Sequence, residues 1–243
     1  AIVHCETTSG ILNPIEAVAD VVERHGCSLL IDAMSTFGAL SLDAGIIRYD
    51  AMVASANKCL EAAPGAGFMV ARETALEKCA GNAHSLSLDL HDQWIHMEKM
   101  GQWRYTPPTH VIAALDQAIT EHREAGGVAA RGARYAENRR TLVNGARALG
   151  LETLIKDALQ SPIIVTLHCP DDPAFDFKIF YELIKARGFI IYPGKITEAE
   201  TFRVGCIGQV YPDNMADAVD AIGAALDEMG VLNRAPIGRR MSA

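Results

Sequence analysis

The chain has 243 residues, enough for one large domain or two modest ones with a buried core. Hydrophobic residues make up 49% and charged residues 21%, the proportions of an ordinary globular protein. The net charge of −8, with no basic block beyond the short Arg239-Arg240 pair, argues against a nucleic-acid partner. A small anionic substrate stays open, because one buried arginine suffices to hold it. Cys5, Cys27, Cys59, Cys79, Cys169 and Cys206 form no C-x-x-C pair, and H-E-x-x-H is absent, so no metal site is expected. Scattered thiols of this kind predict reduced cysteines and a cytoplasmic setting. No apolar run reaches membrane-spanning length and no signal peptide is visible, so no membrane partner is expected.

In chain order, Ile2-Val3-His4-Cys5 reads as a strand end. Asn13 as N-cap and Pro14 in the first turn predict a helix to about Arg24, with Ala17, Val18, Val21 and Val22 inward and Gly26 as its stop. Ser28–Asp32 and Tyr49–Ser55 read as buried strands, and Gly65-Ala66-Gly67 leads into a third, Phe68–Ala71. Trp94 and Trp103 flank an amphipathic stretch and are expected in the core. Thr109 can cap a helix to about Ala125, closed by Gly126-Gly127, and a long helix from Val128 to Leu149 ends at Gly150. Strand Ile163–Leu167, a Pro170–Pro173 turn, helix Phe177–Arg187, strands Phe189–Tyr192 and Phe202–Val204, and helix Asn214–Met229 follow. Buried strands alternating with helices predict an α/β fold with a largely parallel sheet, followed by a smaller α+β unit. Asn233–Ala243 reads as a frayed polar tail.

Two residues stand where ligands collect in such sheets, at the carboxyl ends of strands: Asp32, and Lys58 in the loop after Ser55. This pair suits pyridoxal 5'-phosphate (PLP). A lysine amine can attach the cofactor aldehyde, and a carboxylate can keep the pyridine nitrogen protonated so that the ring withdraws electrons. The amine must shed its proton to act, which a partly desolvated setting would favour.

Five motifs in one order carry a resemblance: His4-Cys5-Glu6-Thr7-Thr8-Ser9-Gly10, Asp32-Ala33-Met34-Ser35-Thr36-Phe37-Gly38, Ser55-Ala56-Asn57-Lys58-Cys59, Arg104-Tyr105-Thr106-Pro107-Pro108-Thr109-His110 and Tyr192-Pro193-Gly194-Lys195. Together with Ser85–Leu90 and Phe202-Arg203-Val204-Gly205, they resemble the 2-aminoethylphosphonate–pyruvate transaminases of the class V, fold-type I aminotransferases. The resemblance implies a homodimeric PLP enzyme that moves the amino group of 2-aminoethylphosphonate to pyruvate. It implies Lys58 and Asp32 as catalytic and cofactor-binding residues, Thr7 beside the cofactor ring, Thr106 reaching a neighbouring subunit's cofactor phosphate, and Arg203 as the substrate-anion residue. Asn57 and Ser55 either contact the cofactor or structure the lysine loop. Local pairing of Arg203 with Glu198 or Glu200 is the alternative to its substrate role.

By the same resemblance, residues 1–126 are the C-terminal portion of the large PLP-binding domain, lacking its N-terminal part and the family's phosphate-binding turn. Residues 127–232 are the connecting helix and small α+β domain, and 233–243 the tail. An alanine–glyoxylate or serine–pyruvate type aminotransferase would share Asp32 and Lys58, and a catalytically silent fragment is the third reading.

Overall fold

A computed structural model describes residues 1–194 and 199–236. Lys195, Glu198, Arg239-Arg240 and the end of the predicted tail lie outside the described residues. The elements in chain order are β1 (Ile2–Val3), β2 (Cys5–Glu6), β3 (Ile11–Leu12), α1 (Ile15–Arg24), β4 (Leu30–Asp32), β5 (Ala51–Ser55), β6 (Gly67–Ala71), α2 (Glu73–Leu76), α3 (Leu90–Met100), α4 (Thr109–Glu124), α5 (Gly127–Ala148), β7 (Ile164–His168), α6 (Phe177–Ala186), β8 (Tyr192–Pro193), β9 (Thr201–Gly205) and α7 (Pro212–Glu228). They divide into two compact units: residues 1–4 with 14–127, and residues 5–13 with 128–243.

The first unit is built on a sheet of order β1-β4-β5-β6. β1 pairs with β4, and β4 with β5, in parallel; β6 pairs antiparallel with β5, Ser55 opposite Gly67. The α/β class and largely parallel sheet agree with the sequence pattern, and the reversed strand was not legible in it. Ile31, Met52 and Ala54 are almost wholly buried, and α1 packs on them through Ile15 and Ala19, with Val18 and Val22 alongside. That stripe follows the i, i+3, i+4, i+7 helical repeat. It corrects the inward face expected from Ala17 and Val21, both of which are exposed. The helix also starts one residue later than expected, with Pro14 in the cap position.

The second unit holds the antiparallel sheet β7-β9-β8. Its core joins Val165, Leu167 and Phe202 from the sheet to Leu142 of α5, Phe180 and Ile184 of α6, and Ile222 and Leu226 of α7. The β2–β3 hairpin, far away in sequence, belongs to this unit. Thr166 Oγ1 donates to Thr8 O at 3.3 Å, Ser161 N to Gly10 O at 2.8 Å, and Gln160 Nε2 to the same carbonyl at 3.2 Å. These bonds satisfy hairpin carbonyls that strand pairing alone would leave open.

Other sequence expectations change in detail. Phe189–Ile191 is not strand; pairing with β9 begins at Tyr192. α7 starts at Pro212, two residues early, because Asn214 Oδ1 accepts from Tyr211 N and closes the first turn. Thr109 is the first residue of α4 and Pro108 takes the cap position. Trp103 is 46% exposed, so it is not a core residue. Residues 232–235 are tied down: Leu232 N and Asn233 N donate to Asp172 Oδ2, and Asp171 N donates to Ala235 O.

Gly10 has φ +89°, and a Cβ there would lie 2.7 Å from the Ile164 carbonyl. Gly10→Ala combines left-handed strain with a backbone clash and should cost about 2 kcal/mol or more of stability. Urea unfolding followed by circular dichroism measures it; Ser9→Ala, whose hydroxyl only braces the turn, should cost less than half as much.

Candidate active site

Asp32 ends β4 and Ser55 ends β5, with Asp32 opposite Val53 in the parallel register. Both strands therefore deliver their next residues to the same edge of the sheet. The two loops that leave this edge are laced together. Ser55 Oγ donates to Met34 O at 3.2 Å and Cys59 Sγ to Ser35 O at 3.1 Å. Ala62 N returns to Ala56 O and Glu61 N to Lys58 O, each at 3.0 Å, closing the lysine loop on itself. Glu61, at φ +59°, is the one non-glycine described residue in the left-handed region. That conformation is the backbone cost of the tight loop that presents Lys58.

Lys58 is exposed, and no hydrogen bond or ion pair engages its Nζ among the described residues. Asp32 is half-buried; its Oδ1 accepts from Met34 N at 2.9 Å, and Oδ2 takes no hydrogen bond among the described residues. The Ser55 hydroxyl donates to the Met34 carbonyl and so helps to structure the lysine loop. Asn57 is exposed beside Lys58.

His4 braces the aspartate loop from the other side. Its backbone N–H donates to Asp32 O at 2.8 Å, and its Nδ1 lies 3.0 Å from Thr36 Oγ1. Both His4 and Thr36 are buried. Burial lowers the His4 pKa to about 4, so the ring is neutral in the folded chain. Sequence reasoning had His4 only as a motif letter; the clasp depends on β1 lying beside β4, which no local pattern shows. The bond from Cys59 to Ser35 likewise has no signal in the local sequence.

Thr106 is exposed and lines a hollow of about 590 Å³ with His96, Gln102, Trp103, Arg104, Tyr105 and Pro107. None of these belongs to the Asp32 or Lys58 loops. Arg104 lies over the Tyr105 ring and pairs with Asp92 at 3.2 Å.

The second unit brings Thr7 and Arg203 together, although 196 positions separate them. Arg203 is buried in the centre of the sheet, and its Nη1 donates to Thr7 O at 2.9 Å and its Nε to Pro193 O at 3.1 Å. Neither bond goes to Glu200, so the local-pairing alternative fails for that residue; Glu198 lies outside the described residues. Two neutral carbonyls orient the guanidinium without cancelling its charge. Thr7 is exposed and meets Arg203 through its carbonyl, while Ser9 serves the turn by accepting from Ile11 N at 3.3 Å.

Residues 1–180 match the family described as Aminotransferase class-V. The chain belongs to the class-V aminotransferase family. Relatives in this family include 2-aminoethylphosphonate–pyruvate transaminase 1 of Polaromonas sp. (strain JS666), 57% identical over 231 residues that cover 95% of this chain and 62% of the relative. 2-Aminoethylphosphonate–pyruvate transaminase 2 of Burkholderia lata is 53% identical over 243 residues, covering 100% of the chain and 63% of the relative. The chain thus spans less than two thirds of the length of these curated relatives. Among solved structures, pyridoxamine–pyruvate aminotransferase from Mesorhizobium loti superposes with a TM-score of 0.85 at 28% identity, covering 94% of this chain and 59% of that one. Ureidoglycine–glyoxylate aminotransferase from Bacillus subtilis, at 21% identity and TM-score 0.82, covers 95% and 60% and supports the fold. The class-V fold thus agrees with the family resemblance read from the motifs.

The neutral His4 makes stability depend on pH with a definite sign. The unfolded ring takes up a proton as pH falls through 6.5, whereas the folded ring resists until about 4. Stability from this group is complete above pH 6.5 and drains between 6.5 and about 4. The measurement is thermal unfolding across that window. His4→Gln should flatten the slope there, while lowering stability near neutral pH through loss of the fitted ring.

Proposed function

We propose that this chain is part of a PLP-dependent aminotransferase that takes the amino group of 2-aminoethylphosphonate and passes it to pyruvate. The observation that carries the reading is the pair of loops at the β4–β5 edge, which presents an open carboxylate oxygen and an unengaged lysine amine from adjacent parallel strands. The donor set suits the cofactor: Asp32 Oδ2 has room to accept a ring N–H, and Lys58 Nζ is free to attach an aldehyde carbon. When bound, PLP supplies an electron sink for the bonds at the amine-bearing carbon.

The chain's own residues have separable tasks. Asp32 holds the proton on the ring nitrogen, with Met34 N and the His4 clasp fixing the carboxylate's loop. Lys58 Nζ acts as the base that takes the proton from the substrate carbon and returns it. Thr7 would contact the cofactor ring, Asn57 would help hold the cofactor beside Lys58, and Thr106 would reach the phosphate of a second copy's cofactor. Arg203 holds the anionic end of the donor and then of the acceptor. The relatives at 53–57% identity, which are named for this reaction, support the phosphonate substrate over a glyoxylate-type one.

The same reading makes the active form a cytoplasmic homodimer. Leu86 and Leu88 are 72% and 75% exposed, and Ile95, Met100, Trp103 and Tyr105 are exposed in the same stretch of chain as Thr106. Exposed apolar side chains are better covered than hydrated, and a second copy of the chain would cover them while Thr106 contributes to that copy. Among the described residues no helix is long and apolar enough to cross a membrane.

Lys58→Ala should abolish both PLP attachment, followed by visible absorbance and borohydride trapping, and transamination. Circular dichroism should remain unchanged, because Lys58 is exposed and holds nothing in place. PLP trapped on the same peptide in the variant would remove the assignment. Arg203→Lys keeps the charge but loses the fork, and should slow both half-reactions roughly a hundredfold or more. Single-turnover conversion with 2-aminoethylphosphonate and with serine tests the substrate; faster conversion with serine would replace the phosphonate reading with the serine–pyruvate type. Sedimentation of a fully active species as a monomer would dispose of the dimer.

A further inference from the structure

Arg203 is the centre of a cross-strand row. Thr166 of β7 lies opposite it on one side and Tyr192 of β8 on the other. Directly opposed residues of antiparallel strands place their side chains on one face, so the three share a surface. Thr166 is committed to Thr8 O. Tyr192 is 51% exposed, its ring lies under the Arg203 guanidinium with 5.8 Å from Cζ to the ring centre, and its hydroxyl has no partner among the described residues.

The guanidinium is not free to supply every donor a bound anion wants. One N–H of Nη1 and the Nε–H go to the Thr7 and Pro193 carbonyls. The remaining N–H groups can meet two oxygens, which satisfies a carboxylate. A phosphonate has a third oxygen and more negative charge, and that oxygen needs a donor from outside the fork. An uncommitted donor directly across the strand pair is the Tyr192 hydroxyl.

We propose that Tyr192 is a specificity-determining residue that reads a three-oxygen anion, its phenol donating to the phosphonate oxygen that Arg203 cannot reach. The inference rests on Arg203 being the anion-binding residue. The ring face also keeps the guanidinium in place as a cation–π partner, a role that both anions would feel equally. Only the hydroxyl distinguishes them. A carboxylate has only the two oxygens that the fork already meets, so removal of the hydroxyl should weaken a carboxylate far less than a phosphonate.

The test is titration of the isotope-labelled 243-residue chain with ethylphosphonate and with propionate, following the Arg203 Nε–H resonance by NMR. Tyr192→Phe keeps the ring and removes the donor, and no partner among the described residues loses a hydrogen bond, so the fold should be unaffected. Ethylphosphonate should bind the variant roughly ten- to a hundredfold more weakly, with propionate affected much less, as expected for loss of one hydrogen bond to a charged group. Equal weakening of both anions, or no change in either, overturns the role of Tyr192 and leaves Arg203 as the anion site. If neither anion moves the Arg203 resonance in the unaltered chain, the anion-binding reading falls and this inference falls with it.

Discussion

Because β4 and β5 run parallel, the chain leaves both strands at one edge of the sheet, and the placement of Asp32 and Lys58 depends on that single arrangement. With Asp32 opposite Val53, the aspartate and the lysine loop emerge from neighbouring strands without any further device. An antiparallel pair would send them to opposite ends. The lacing from Ser55 to Met34 and from Cys59 to Ser35 then converts shared position into fixed geometry. Lys58 sits between these two ties, held by its neighbours while its own side chain stays uncommitted. His4 completes the brace, and its neutrality is the electrostatic consequence of its being buried under the aspartate loop.

In the second unit the organising interaction is a charge held by neutral acceptors. Arg203 is buried in the middle strand of a three-stranded sheet, where an unpaired guanidinium would be costly. Two backbone carbonyls solvate it instead of a carboxylate. An acidic partner would have neutralised it, whereas carbonyls keep its charge available to an anion and at the same time anchor the β2–β3 hairpin. One side chain thereby ties a hairpin from the first dozen residues to strands from the end of the chain.

Apolar surface is distributed unequally. Each unit's own core is closed by aliphatic and aromatic side chains at near-zero exposure, yet the segment from Leu86 to Tyr105 carries large apolar groups in the open. α3 has no fully buried residue, although its sequence is amphipathic. Its order within the chain comes from local capping, with Asp89 accepting from Asp92 N, and from the left-handed Gly101 that ends it. A helix held by its caps and not by its own core is suited to packing against another surface.

The sequence by itself determined the alternation of strands and helices, the glycine stops after α1 and α5, and the placement of Asp32 and Lys58 after their strands. All of these follow from local periodicity and from turn chemistry within a few residues. The family motifs, read in order, pointed to the same residues. Only the tertiary structure decided which way β6 runs and which side of α1 faces the core. It also decided that Trp103 is exposed, that residues 5–13 join the second unit, and that Arg203 binds the Thr7 carbonyl. These outcomes turn on hydrogen bonds and packing between residues far apart in the chain. A local pattern reports whether a side chain will be buried, but not which distant backbone carbonyl will lie within 3 Å of it.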